Sequence, residues 1–435
     1  MNVYIETYGC QMNVSDSGIV GTILTDNGFQ LVNDTSEADV VLLNTCSIRD
    51  NAEKKVKNRI QELNTIKKKR GLIIGILGCM AERLKEDLIT NYGVDVVCGV
   101  DSYRKIAEAI NNSIDSSIAL TVLNSQETYE GITPLQINTD AVTAFVSIMR
   151  GCENFCSYCV VPYTRGRERS HSVKSIITQC EDLFSKGYRE ITLLGQNVNS
   201  YRFNDGERTT DFADLIKQVA EINPLLRVRF ATSHPKDISD RLIDVIASYN
   251  NICKAVHLPL QSGSSDVLKR MNRKYTREEY LEKIKRIKAT IPDCSISTDI
   301  IVGFCGETPE DFEQTLEVMR IVEYDYAFMF AYSQRPDTLA AKKYADDISL
   351  QEKNRRLTQL INLQRDLSMA SNRRDIGKVY EVMVEEQSKR SADKLFGRNS
   401  QNKVVIFDVG DFKKGDYAKV KILDCTSATL FGKTL

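Results

Sequence analysis

Gly151-Cys152-Glu153-Asn154-Phe155-Cys156-Ser157-Tyr158-Cys159-Val160-Val161-Pro162-Tyr163-Thr164-Arg165-Gly166-Arg167-Glu168-Arg169-Ser170 is the stretch on which the reading of this chain turns. Cys152, Cys156 and Cys159 form a tight C-x3-C-x2-C run. So compact a set of thiolates suits soft metal chemistry, chiefly iron–sulfur. Three ligands are one short of the four that a [4Fe–4S] cube takes, and no fourth Cys lies nearby. One iron is therefore left open to a small molecule. The competing readings are a zinc knot, which normally closes four positions, or three unrelated buried cysteines.

The 435 residues are enough for two or three domains with real cores. A hydrophobic content of 42% with a net charge of −1 describes a globular chain, not a disordered or fibrous one. No apolar run approaches the length of a membrane span. The opening Met1-Asn2-Val3-Tyr4-Ile5-Glu6 lacks the basic-then-apolar texture of a secretory signal. Twelve cysteines without such a signal point to a reducing cytoplasm and metal ligation, not to disulfides. The balanced charge excludes bulk attraction to nucleic acid but leaves room for local basic patches.

Residues 1–113 read as a small α/β domain. Apolar strands end at Cys10, Cys46 and Cys79, with helical patterns over 14–27 and 50–69 between them, and a fourth strand contains Cys98. Continuous apolar strands alternating with helices predict a doubly wound parallel sheet covered on both faces. Sites in such sheets lie beyond the carboxyl ends of the strands. Three strands delivering a Cys to that one edge predict a second iron–sulfur cluster on Cys10, Cys46 and Cys79, again with one iron open. Cys98, inside its strand, reads as a small core hydrophobe. The basic run 67–70 reads as a solvated helix end. Residues 114–143 read as an ordered connector with room for one short strand and no identifiable chemistry.

Residues 144–370 contain six apolar strands, beginning near 144, 190, 227, 255, 295 and 326, most followed by helical spacing. Asp211, Asp237, Thr276 and Thr308 are expected N-caps. Six βα units predict a partial (β/α)6 barrel, too short to close as eight units do. Polar residues collect at the carboxyl ends of the strands, where barrel sites lie: Gln196 and Asn197, Ser233 and His234, Gln261, Asp299, and Tyr332. His257, within a strand, reads as a core histidine. From 371 to 435 the texture changes to five short alternating strands, which predict a small antiparallel OB-like β-barrel. Thirteen Lys/Arg against nine Asp/Glu make this segment mildly basic. Arg390, Lys394, Phe396 and Arg398 supply the charge and stacking that single-stranded RNA recognition requires. A plain structural barrel is the alternative.

The Cys152–Cys159 spacing, with Tyr158 before the third Cys, resembles the signature of the radical S-adenosylmethionine (SAM) enzymes. Tyr8–Asn13, Leu43–Arg49, Gly78–Ala81, Leu258–Ser264, Thr298–Phe304 and Tyr332–Pro336 extend the resemblance over the whole chain, to the methylthiotransferases of that superfamily and to their MiaB subgroup. Cys305 departs from the pattern, in which Pro precedes Gly-Glu-Thr. The resemblance implies three parts: an N-terminal methylthiotransferase domain, a radical-SAM barrel and a C-terminal RNA-binding TRAM domain. It implies two [4Fe–4S] clusters, and SAM used both as methyl donor and as radical source. Tyr158, Gln196, Asn197, Ser233, Gln261, Asp299 and Tyr332 are the candidate SAM contacts, and no side chain is needed as acid or base. The implied reaction places a methylthio group on C2 of isopentenyladenosine at tRNA position 37. An aspartate of ribosomal protein S12 and threonylcarbamoyl-adenosine are the alternative substrates, and an iron–sulfur RNA-binding module without catalysis is the alternative of another class. A monomer served by an electron donor such as flavodoxin is expected.

Overall fold

The computed structural model describes residues 1–46, 50–136, 141–388, 391 and 393–435. Its N-terminal sheet has six parallel strands: β1 (Asn2–Thr7), β2 (Gln30–Leu31), β3 (Val40–Thr45), β4 (Ile73–Gly78), β5 (Val96–Cys98) and β6 (Ile118–Leu120). Their order is β2-β1-β3-β4-β5-β6. Every residue of β3 is buried, as a strand covered on both faces must be. Val40 and Leu42 pack with Ile19, Val20 and Leu24 of α1 (Gln11–Asp26), whereas Val41 and Leu43 pack with Val56, Ile60 and Leu63 of α2 (Asp50–Arg70). The chain runs from β1 outward to β2, then returns to the other side of β1 as β3. That reversal is a topological switch point, and a short helix, α3 (Cys79–Leu84), starts beside it.

Two short edge strands, β2 and β6, add to the four expected within 1–113. The sixth lies in the expected connector, which therefore completes the sheet and does not merely follow it. The connector also straps α1. The Leu135 amide bonds the Gly18 carbonyl, and a Cβ on Gly18 would lie 2.6 Å from the Leu135 carbonyl oxygen.

The central strands are β7 (Thr143–Ser147), β8 (Glu190–Leu194), β9 (Arg227–Phe230), β10 (Ala255–His257), β11 (Ser295–Val302) and β12 (Tyr326–Ala331). They form two three-stranded parallel sheets, β9-β8-β7 and β10-β11-β12, joined by a parallel bridge between Val228 and Ile252. Among the described residues no pairing joins β7 to β12, so the barrel is an open arc. Helices Val173–Ser185, Phe212–Glu221, Asp240–Ser248, Arg277–Thr290 and Pro309–Val322 back it. Asp211, Thr276 and Thr308 cap as expected. Asp237 does not: Ser239 caps that helix, and Asp237 instead accepts the side-chain amide of Asn197 at 2.6 Å.

Helix Leu350–Arg373 leads from the arc to the last domain. Its buried face is mostly polar: Lys353, Arg356, Gln364, Ser368, Ser371 and Asn372 surround Leu360. Hydrogen bonds hold it, with Gln364 donating to the Tyr324 carbonyl and Asn372 to the Thr426 carbonyl. Strands β13 (Val379–Gln387), β14 (Lys394–Asn399), β15 (Val404–Asp408), β16 (Tyr417–Cys425) and β17 (Leu430–Thr434) then close into a five-stranded barrel. This barrel seals the floor of the central arc. Arg227 donates to the Arg398 carbonyl and Arg229 to the Asn399 and Ser400 carbonyls, both from the first turns of β9. The Lys254 amide bonds Ser400 Oγ at 2.9 Å.

Candidate active site

Cys10, Cys46 and Cys79 follow β1, β3 and β4, three neighbours in the sheet. Glycines with positive φ help bring two of them in. Gly9 has φ +123°, and a Cβ there would lie 2.6 Å from the Cys46 Cβ. Gly78 has φ +88°, and a Cβ there would meet Asn44 Oδ1 and the Thr45 carbonyl oxygen, each at 2.6 Å. Cys46 and Cys79 are buried, and Cys10 is the exposed member. The Cys10 thiol is held down at about 6, first by its hydrogen bond to Cys46 and then, against the opposing effect of burial, by the charge of Arg165. Three cysteines at one sheet edge, one of them already disposed to ionise, suit a cluster that binds thiolates.

The second triad lies on the loop between β7 and the short helix Val161–Arg165. Gly151 has φ +79°, and a Cβ there would lie 1.9 Å from the Arg167 carbonyl oxygen, so the loop folds back on itself. The Gly151 amide donates to Gln196 Oε1, which ties the loop to the end of β8. Cys152 and Cys156 are each 9% exposed. Cys156 Sγ accepts from the buried Arg273 at 3.2 Å, and Cys159 Sγ accepts the Val161 amide at 3.4 Å. Burial pushes the Cys152 thiol up to about 11. Donors aimed at sulfur suit thiolate ligands. Among the described residues no group of His, Cys, Asp or Glu is arranged to hold a single metal ion. Three cysteines on each side, with donors aimed at sulfur in the second set, are a donor set that thiolate-bound iron–sulfur chemistry can use.

The expected SAM contacts fall into three groups. Tyr158 and Tyr332 meet the two sides of Phe304, with ring centroids 6.4 and 4.9 Å away. Cys305 packs into the same apolar cluster, which accounts for a thiol where the family pattern has Pro. Gln196, Asn197, Ser233 and Gln261 are placed near the cluster loop at the ends of β8, β9 and β10. Asn197 Oδ1, Ser233 Oγ and Gln261 Oε1 are buried without hydrogen-bond partners among the described residues, the signature of polar groups arranged for a ligand. Asp299 stands apart in the lumen of the arc, with its carboxylate 3.4 Å from His257 Nε2. His257 also bonds Ser297 Oγ at 3.0 Å and is only partly buried, so it lines the lumen and is not a core histidine. Cys98 is a core residue, with no exposure.

In the last domain, Lys394, Phe396 and Arg398 alternate on one face of β14. Lys394 pairs with Asp408, and the Arg398 guanidinium lies over the Phe396 ring at 5.8 Å. Arg398 also donates to the Asn402 carbonyl, so part of its capacity serves the turn that seals the arc. Arg390 lies outside the described residues. Lys419, Lys421 and Lys433 project from β16 and β17 into solvent.

Several buried residues escape motif reading. Asp16 on α1 pairs with Arg150 and Arg165, each at 2.8 Å, and Asp101 pairs with Arg169 at 2.9 Å. Tyr129, from the connector, stacks on Tyr103 and lies under the Arg150 guanidinium at 4.8 Å. Together they clamp the N-terminal domain onto the arc, so the two cysteine triads belong to one assembly.

Residues 146–319 match the radical SAM superfamily, 2–99 an uncharacterized protein family (UPF0004), and 373–435 the TRAM domain. The curated tRNA-2-methylthio-N(6)-dimethylallyladenosine synthases of Phocaeicola vulgatus and Parabacteroides distasonis are each 53% identical, over 99% of this chain and 95% of theirs. That of Porphyromonas gingivalis is 52% identical over 100% and 95%. The chain belongs to the MiaB family of radical-SAM methylthiotransferases. It is an enzyme of a class that works with SAM and [4Fe–4S] clusters, and its two cysteine triads are the donor sets available for them. Among solved structures, the radical SAM methyltransferase TsrM from Kitasatospora setae superimposes with a TM-score of 0.58 at 14% identity, covering 78% of this chain and 75% of that one. The cobalamin-dependent enzyme OxsB gives 0.54 at 13%, covering 83% and 56%. These two likenesses concern the fold alone.

Proposed function

We propose that this MiaB-family enzyme adds a methylthio group to C2 of isopentenyladenosine at position 37 of tRNA. The observation that carries this is the presence of two cysteine triads in one clamped assembly, one beyond the switch point of the sheet and one at the mouth of the arc. When bound, the two [4Fe–4S] clusters and SAM would supply a 5′-deoxyadenosyl radical and the methyl group of the methylthio unit. The chain's own part is placement. Cys152, Cys156 and Cys159 hold one cluster, and Cys10, Cys46 and Cys79 the other. Gln196 fixes the loop of the Cys152, Cys156 and Cys159 triad, and Arg273 meets its Cys156 sulfur. Ser233 and Gln261 offer unspent hydrogen-bonding atoms to SAM, with Asn197, Tyr158, Tyr332 and Asp299 completing its surroundings. The last domain seals the floor, so substrate arrives at the carboxyl ends of the strands. Its exposed lysines, with Lys394, Phe396 and Arg398, face the tRNA, whose phosphates supply the attraction. No helix among the described residues is long and apolar enough to cross a membrane. The proposal takes the enzyme as a cytoplasmic monomer served by an electron donor such as flavodoxin.

The test is nucleoside mass spectrometry of isopentenylated tRNA after incubation with the reconstituted enzyme, SAM and reductant. The expected product is the methylthio nucleoside. Unmodified tRNA, with SAM cleaved at the normal rate, would sink the substrate assignment.

A further inference from the structure

Arg165 belongs by sequence to the loop of the second triad but reaches across to the first. Its Nη2 donates to Asp16 Oδ2 at 2.8 Å and to Asn13 Oδ1 at 3.1 Å. The Cys10 thiol donates to that same Asn13 oxygen at 3.6 Å. Helix Val161–Arg165, which ends at Arg165, packs against α3, which begins at Cys79. Arg165 is 3% exposed, and its Nη1 has no hydrogen-bond partner among the described residues. A buried guanidinium with an idle nitrogen calls for an acceptor.

Charge makes the same demand. Among the described residues Asp16 is the single carboxylate in ion-pair contact with Arg150 and Arg165, and all three are buried. The neighbouring Arg169 is answered by Asp101. One carboxylate shared by two buried guanidinium groups leaves room on that side for a further anion. An oxidised [4Fe–4S] cube held by three thiolates carries one net negative charge.

We infer that Arg165 Nη1 donates to sulfur at the cluster site formed by Cys10, Cys46 and Cys79. Arg165 is thus a positioning residue, contributed by the arc, that orients this cluster and raises its reduction potential. The inference rests on the two-cluster part of the proposed function and needs no tRNA. An iron content below two clusters in the native protein would defeat that reading, separately from this one.

The experiment is an EPR-monitored redox titration of the full-length protein with both clusters reconstituted, with the signal of the Cys10, Cys46 and Cys79 cluster identified in protein carrying Cys152→Ala, Cys156→Ala and Cys159→Ala. Arg165→Gln should lower the midpoint potential of that cluster, and Arg165→Lys should keep most of the native value. Asp16→Asn, which removes negative charge from the same triad, should shift the potential the opposite way to Arg165→Gln. Selective loss of that cluster in Arg165→Gln, with retention in Arg165→Lys, would also support the assignment. A folded Arg165→Gln protein with an unchanged potential would overturn it. So would Asp16→Asn shifting in the same direction as Arg165→Gln, or equal loss of both clusters in Arg165→Gln and Arg165→Lys.

Discussion

Gly151 has no room for a side chain: a Cβ would sit 1.9 Å from a backbone oxygen, at a φ of +79°. Gly151→Ala must therefore displace the loop that carries Cys152. The expected outcome is a folded protein with about half the native iron, measured by iron assay and circular dichroism. Retention of both clusters would show that the loop adapts. The roles proposed for the two cysteine triads can be separated. With Cys10, Cys46 and Cys79 replaced by Ala, a folded protein should still release 5′-deoxyadenosine from SAM but make no methylthio nucleoside. Replacing Cys152, Cys156 and Cys159 should abolish both, as chromatography of the two products will report. The placement of Cys10, Cys46 and Cys79 at one sheet edge is legible in the sequence because strand ends announce it, and tight spacing announces Cys152, Cys156 and Cys159. Arg165 and Arg273 are not, because an arginine in a loop reads as solvated until the fold buries it. Asp16 escapes for the same reason, on a helix whose other polar residues give no hint of an ion pair 134 positions away.

Helix Leu350–Arg373 shows how an element can be docked by polar contacts. Arg356 pairs with Glu307 at 2.6 Å, with side chains 4% and 0% exposed, and Glu307 in turn accepts the Gly303 amide. Arg356→Met leaves Glu307 buried and alone, which should destabilise the protein by about 3–5 kcal/mol. Adding Glu307→Gln should recover part of that loss in chemical denaturation, because the two changes share one contact. At the far end of the helix, Lys403 binds Asp325 and Asp375 at 3.1 and 2.7 Å. Burial would raise the Asp375 carboxyl, but Lys403 and Tyr380 overcome it and hold the group below its ordinary 3.8. A lowered pKa in the folded state contributes stability above the unfolded value, and that stability fades as pH falls through the folded one. Asp375→Asn should therefore flatten the acid side of the stability profile below about pH 4; an unchanged acid limb would remove Asp375 from the account. The strands, and three of the four caps expected for the barrel helices, were readable from period and residue type. The polar face of this helix was not, because its partners lie in loops far away along the chain.

Across the whole molecule the three domains share buried charges, so none is an appendage. Arg227 and Arg229, both under 10% exposed, are satisfied by carbonyls roughly 170 residues later. Nothing in the strand Arg227-Val228-Arg229-Phe230 reveals that partner. Cutting the chain after Ser371 would uncover these arginines, so loss of tRNA binding in a truncated protein would not isolate the role of the last domain. Lys419→Glu, Lys421→Glu and Lys433→Glu together keep the fold and test it better. The triple variant should bind tRNA more weakly, with the slope of log affinity against log salt reduced by ~2–3, while SAM cleavage without tRNA is unchanged. Unaltered affinity at low salt would place the RNA surface elsewhere. The sealed floor also bears on synthesis at the ribosome. The arc emerges first, but the carbonyls that complete its base come from a turn near residue 400. A nascent chain must carry a half-finished barrel, with two arginines still wet, until the turn near residue 400 has left the exit tunnel.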